Sequence, residues 1–215
     1  MSFHPDRYGK YFGFTQDGMK NGLGLYIGAR FEYEGMFEND SYNGIGRLTT
    51  SDTVYEGEFA DNECNGVGMI EDKHGVFIGE CAGKMEPAGL GEFISRDSIR
   101  YRGVINGWRL DGYGELLDDT RGKKYIGEYR NDRREGFGVQ LEPSGQEHIG
   151  YWDGGVEHGV GYCRGGKTEK YKMGDWENGH LTCALQEVED EEVKRFEEAA
   201  RREESNLEGG LEELI

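Results

Sequence analysis

The feature that most constrains this chain is a pair of glycine motifs that alternate along it. One is aromatic-x-Gly: Tyr11-Phe12-Gly13, Tyr33-Glu34-Gly35, Tyr55-Glu56-Gly57, Phe77-Ile78-Gly79, Tyr101-Arg102-Gly103 and Tyr125-Ile126-Gly127. His148-Ile149-Gly150 is a seventh copy, with histidine in the aromatic place. The other motif follows about nine residues later and is Gly-apolar-Gly. Its copies are Gly22-Leu23-Gly24, Gly44-Ile45-Gly46, Gly66-Val67-Gly68, Gly89-Leu90-Gly91, Gly112-Tyr113-Gly114, Gly136-Phe137-Gly138 and Gly159-Val160-Gly161. Successive copies lie 22 to 24 residues apart. A period of that length marks an array of small supersecondary units. An eighth copy around Gly174-Asp175-Trp176 is incomplete, because Tyr171 lies one residue too far upstream.

Each unit reads as a β-hairpin. Tyr55-Glu56-Gly57-Glu58-Phe59 alternates with period two, so Tyr55, Gly57 and Phe59 share one face and both glutamates the other. The polar stretch from Ala60 to Asn65 supplies the turn. Gly66-Val67-Gly68 then opens the returning strand. Glycine ordinarily weakens a strand. Here a residue without Cβ leaves a trough in which an aromatic ring can lie, so repeated units bury their rings together and a lone unit could not.

The sequence Tyr-Glu-Gly-Glu-Phe, a polar turn and Gly-x-Gly resembles the MORN repeat, most closely over Tyr33–Gly46, Tyr55–Gly68 and Tyr125–Gly138. The resemblance covers residues 8–182, about seven to eight copies. Cys81 and Ile105 depart from it, standing where an aromatic is expected, and those units are expected to pack more loosely or to bend the array. The resemblance implies a mostly β fold: an elongated, single-layer antiparallel sheet of tandem hairpins. About fifteen strands at ~4.8 Å spacing would make a rod of roughly 70 Å. It also implies scaffolding rather than catalysis. Arrays of this family occur in ciliary and flagellar axonemes, radial spoke heads among them, in cytoskeletal rings and at membrane junctions. Others are fused to lipid kinases and methyltransferases, and no such fused domain is visible here.

Residues 1–7 read as a lead-in, 183–207 as an acidic helix and 208–215 as a tail. From Gln186 glycine gives way to Glu, Arg and Ala, which favour helix. Val193, Phe196 and Ala200 sit at helical spacing. The bland role for such a helix is to close the last hairpin, as terminal caps do in repeat proteins. The sharper one is docking on an apolar groove, in cis or on a partner.

The net charge of −18 excludes a nucleic-acid surface, which calls for clustered Lys and Arg. It also disfavours anionic lipid, although Lys123, Lys124, Arg130, Arg133 and Arg134 could form a basic stripe on folding. The N-terminus carries no apolar run of the signal-peptide kind, and four scattered cysteines fit free thiols in a reducing cytoplasm. No cofactor or metal set is expected: the histidines share no ligand spacing, and neighbouring carboxylates carry little information among 43 acids. Gly161 to Thr168 fits the phosphate-loop pattern G-x-x-x-x-G-K-[ST] by letter, with Lys167 in the lysine place. That pattern needs a buried strand before it and a helix after it, and here it lies between repeats.

The expectation is therefore a non-enzymatic adaptor, cytoplasmic and attached to the cytoskeleton of a cilium or flagellum. A protein partner, as a helix or extended segment, would lie along the sheet. The candidate contact residues are Tyr33, Phe37, Tyr55, Phe59, Phe77, Tyr101, Tyr125, Tyr129 and Trp152, with Phe196 of the helix. Most of each stripe is also expected to serve as the protein's own thin core. Peripheral membrane tethering is the alternative, and pairing of sheet ends in a homodimer is open.

Overall fold

A computed structural model describes residues 2–6, 9–183 and 185–214. Met1, Arg7, Tyr8, Ala184 and Ile215, parts of the expected lead-in, array, helix and tail, lie outside the described residues. The chain forms two compact units, which divide between Arg96 and Asp97. The first holds β1 (Ser2–Asp6), β2 (Gly9–Gln16), β3 (Met19–Gly28), β4 (Phe31–Glu38), β5 (Ser41–Thr50), β6 (Thr53–Ala60), β7 (Glu63–Asp72), β8 (Gly75–Gly83) and β9 (Glu86–Ser95). The second holds β10 (Ile99–Asn106), β11 (Arg109–Asp118), β12 (Lys123–Arg130), β13 (Arg133–Leu141), β14 (Glu147–Asp153), β15 (Val156–Arg164) and β16 (Lys172–Glu177). Two short strands, β17 (His180–Leu181) and β18 (Gln186–Glu187), and the helix α1 (Asp190–Leu214) complete it.

Both units are open antiparallel sheets in which, within each unit, successive strands pair up to β17, and β18 pairs with β16. The lead-in is itself a strand, since β1 pairs with β2 from Ser2↔Gly13 to Asp6↔Gly9. The turns are tighter than the polar stretches suggested. Asn39-Asp40, Asp61-Asn62 and Asn131-Asp132 each form a two-residue loop with both φ values positive, between 48° and 71°. That is the hairpin turn whose twist matches the strands, and Asn and Asp tolerate it best among residues with a Cβ.

The second residue of each of these turns also ties one hairpin to the previous one. The Lys20 amide donates to Asp40 Oδ1 at 2.8 Å while the Asp40 amide donates to the Lys20 carbonyl at 3.1 Å. Asn62 makes the same two-way bridge to Tyr42, and Asp132 to Leu110.

The glycines of the two motifs face each other across every hairpin: Gly35↔Gly46, Gly57↔Gly68, Gly103↔Gly114 and Gly127↔Gly138. The ring of the same hairpin lies over both. A Cβ at Gly46 would stand 2.6 Å from ring carbons of Tyr33, and one at Gly68 would stand 2.6 Å from Tyr55 Cζ. The first glycine of Gly-x-Gly has a different reason. The register slips just after each aromatic-x-Gly, and this bulge holds Gly44 at φ 90° and Gly136 at φ 57°. Left-handed backbone of this kind favours glycine.

The buried tyrosines find partners at the same slip. Tyr33 Oη donates to the Met36 carbonyl at 2.8 Å, and Tyr55 Oη to the Glu58 carbonyl at 2.9 Å. Tyr11, Tyr101 and Tyr125 bond three residues ahead in the same way. Cys81 and Ile105 do not loosen their hairpins: each is only 3% exposed, as Phe37 and Phe59 are. At these positions burial of any apolar side chain suffices.

The helix begins later and ends later than the sequence suggested, at Asp190–Leu214 instead of 183–207. Cys183 and residues 185–189 instead carry β18 and irregular chain. Gly209-Gly210 does not stop the helix, because the apolar stripe continues through buried Leu207 and Leu211.

Candidate interaction surface

Alternation along each strand gives the sheets two distinct faces. The tyrosine face closes on itself. In the first unit Tyr33, Phe37, Tyr55, Phe59 and Phe77 are all buried. Tyr33 meets Phe37 and Phe59 edge to face, each at 5.1 Å between ring centres. Tyr42 stacks on Tyr33 at 3.8 Å. Burial pushes the Tyr33 hydroxyl up to about 12. In the second unit Tyr101, Tyr125, Tyr129 and Trp152 are buried likewise. Arg134 lies over the Trp152 ring at 3.9 Å and also donates to the Gly155 carbonyl. The residues the sequence offered as partner contacts are thus interior, and little of them is left for a partner to touch.

His148 occupies the seventh ring position. It is 9% exposed and sits edge-on between Trp152 at 5.3 Å and Trp176 at 4.8 Å. Burial, opposed in part by Glu157, pushes its imidazole down to about 4. Its Nε2 lies over the Gly150–Gly161 trough without a hydrogen-bond partner.

The opposite face is treated differently in the two units. In the second, α1 covers part of it, leaving Tyr151 and Val160 more than half exposed. Val193 and Ala200 are buried with Val139, Ile149, Tyr162 and Tyr171. Phe196 packs between Phe137 and Tyr162, at 5.8 and 5.3 Å. Polar groups pin the helix at its margins. Tyr171 Oη bonds to both Glu147 and Glu197 at 2.7 Å, and Tyr162 Oη to Glu192 at 3.1 Å. Lys124 pairs with Glu115 and with Glu204. Although burial alone would lower it, these two carboxylates hold the Lys124 ammonium above its ordinary value. The helix therefore docks in cis.

In the first unit the same face is open. Phe14, Leu23 and Ile45 are 59%, 60% and 66% exposed, and Ile27 and Met36 are exposed as well. Exposed acids, Glu32, Glu34 and Glu58, stand among them. Strand alternation and register put Leu23 and Ile45 on this face. Alternation alone did not show that rings of the tyrosine face would be fully absorbed by glycine while this face stayed open.

The phosphate-loop letters are not a nucleotide site in this fold. Gly161–Arg164 belong to β15, Gly165–Glu169 make a turn, and β16 follows where a helix would be required. Among the described residues no group of His, Cys, Asp and Glu is placed to hold a metal, and no helix is long and apolar enough to cross a membrane. The supposed basic stripe is largely paired: Lys123 with Glu142, Arg130 with Glu135, and Lys124 as above.

The MORN repeat family model matches residues 33–52, 55–72 and 125–146. The chain carries MORN repeats. The hairpins between these matches share the arrangement of the matched ones, with Phe77 over Gly79 and Gly91, and Tyr101 over Gly103 and Gly114. Comparison with curated proteins finds no match. A MORN repeat sheet fits a scaffold or a membrane-binding role, and folds of this repeat are generally non-catalytic.

Proposed function

We propose that this MORN repeat protein is a non-catalytic scaffold that binds protein through the open face of its first unit, within a cytoskeletal or ciliary assembly of the radial-spoke kind. The observation that carries the reading is the pairing of a self-contained tyrosine core with exposed Leu23 and Ile45 on the other side. A sheet whose core is complete on one face has no internal need for apolar residues on the other. Contiguous exposed apolar surface of this kind marks interaction sites. Membrane tethering, the other role open to the repeat, is opposed by the net charge of −18 and by the pairing of Lys123, Lys124 and Arg130 with carboxylates.

Detergent extraction of native cells tests the proposal. The protein is expected in the insoluble cytoskeletal or axonemal fraction, in a complex of fixed composition. Release as a free monomer, or flotation with membranes, would refute it.

A further inference from the structure

The open face of β2–β6 has a definite chemistry. Leu23 lies across from Met36, and Ile45 across from Glu58. Leu25 and Ile27 lie across from Glu34 and Glu32. Phe14, Leu23, Ile27, Met36 and Ile45 together expose as much as two to three fully exposed residues. That is on the order of 400 Å², within the range of patches that are often functional. Four acids, Glu32, Glu34, Glu56 and Glu58, share the face with two bases, Lys10 and Arg47. Arg47 is already paired with Glu56 at 2.8 Å.

Two observations say what can cover it. The other unit supplies the shape, because its corresponding face is filled by a helix whose apolar residues recur every three or four positions, Val193, Phe196 and Ala200. The charge excludes two occupants. Residues 186–215 hold 12 acids and 4 bases, so the helix of a second copy would be repelled, and an anionic bilayer would be repelled equally. Taking the scaffold reading as its basis, we infer that this face receives an amphipathic α-helix of a partner protein, with an apolar stripe flanked by Lys and Arg. The stripe seats on Leu23, Met36 and Ile45, and the cations meet Glu32, Glu34 and Glu58. Such helix-in-groove recognition draws affinity from the apolar anchors and orientation from the charges.

The test uses the full chain and a fluorescent 18-residue helical peptide of Leu and Lys, with its Leu/Glu counterpart. The Leu/Lys peptide should bind and the Leu/Glu peptide should not. The double variant Leu23→Ser/Ile45→Ser keeps every charge and should weaken binding at least tenfold. Glu32→Gln/Glu34→Gln should weaken it severalfold and flatten its salt dependence. Val160→Ser, exposed on the other unit, should leave it unchanged, and circular dichroism should give the same fold for all. Binding that ignores Leu23→Ser/Ile45→Ser would overturn the inference, since bulk acidity alone would then explain it. A dimer that this variant dissolves, or binding to phosphatidylserine vesicles, would overturn it in favour of a second copy or a membrane. The scaffold role is judged separately by cell extraction: a Leu23→Ser/Ile45→Ser chain that still enters the insoluble complex refutes the helix and the open face as its seat and leaves the scaffold role standing, whereas a parent chain that stays soluble refutes the scaffold role.

Discussion

Gly68→Ala isolates the ring-over-glycine contact from every other reason for glycine. Gly68 is absent from the positive-φ residues, so an alanine there suffers no backbone strain. Its added methyl would stand 2.6 Å from both Cζ and Oη of Tyr55, where normal contact needs about 3.4 Å or more. The ring must tilt away by most of an ångström, and the 2.9 Å bond from Tyr55 Oη to the Glu58 carbonyl then breaks. Overpacking of this kind costs about 1–3 kcal/mol. The lost hydrogen bond adds about 1 kcal/mol. The lower unfolded-state entropy of alanine returns about 0.5–1 kcal/mol. The net expectation is a loss of about 1–3.5 kcal/mol. Urea unfolding followed by circular dichroism measures it, and Tyr55→Ala/Gly68→Ala closes a double-mutant cycle. With the ring gone, the alanine should add almost no cost. A single Gly68→Ala within 0.5 kcal/mol of the parent would refute the trough as the source of the glycine pattern.

Gly209→Ala should have the opposite sign, because nothing lies within 4 Å of its would-be Cβ inside α1, and a helix gains about 1 kcal/mol from the exchange; a thermal melt showing no gain would mean the helix frays there. His148 makes the second unit acid-sensitive. Its folded value of about 4 lies below the usual 6.5, so its stabilisation is complete above pH 6.5 and is lost as pH falls toward 4. The loss amounts to up to about 3 kcal/mol. His148→Tyr should remove that component, and parallel stability–pH curves for the two proteins would contradict it. Asn62→Gly keeps the left-handed turn but deletes the side-chain acceptor for the Tyr42 amide, and should cost about 1 kcal/mol in urea unfolding; Asn62→Ala should cost about 1 kcal/mol more, from its φ of 69°.

The repeat, the hairpins and the ring-in-trough packing were legible because each rests on local spacing. Tyr55, Gly57 and Gly68 are fixed by alternation and by one turn, and Asn39-Asp40 and Asp61-Asn62 announce that turn. The helix limits were harder to read. Gly209-Gly210 carries the usual stop signal, and only tertiary burial of Leu207 and Leu211 overrides it. The burial of the candidate contact residues was hard to read for a similar reason. Tyr33 and Ile45 are both large and apolar, and strand alternation assigns them to opposite faces with equal force. What separates them is the size of the trough. Glycine lies opposite glycine beneath Tyr33, whereas Ile45 stands beside Glu58 with nothing above it.

The second face nevertheless records its own cover, two residues beyond the middle of each Gly-x-Gly and one residue after each ring position. Under α1 these places are Ile126, Val139, Ile149 and Tyr162, all buried. In the first unit three of these places, Glu34, Arg47 and Glu56, form a cross-strand ladder of alternating charge, while Phe12, Leu25, Met69 and Ile78 are apolar. The tyrosine face cannot vary in this way, since any side chain at Gly46 or Gly68 collides with its ring. One face therefore carries the fold and is tied to a fixed pattern. The other is free to follow whatever lies on it: the chain's own helix at Val139, Ile149 and Tyr162, and, under the inference proposed above, a positively charged helix where acids stand among Leu23, Met36 and Ile45.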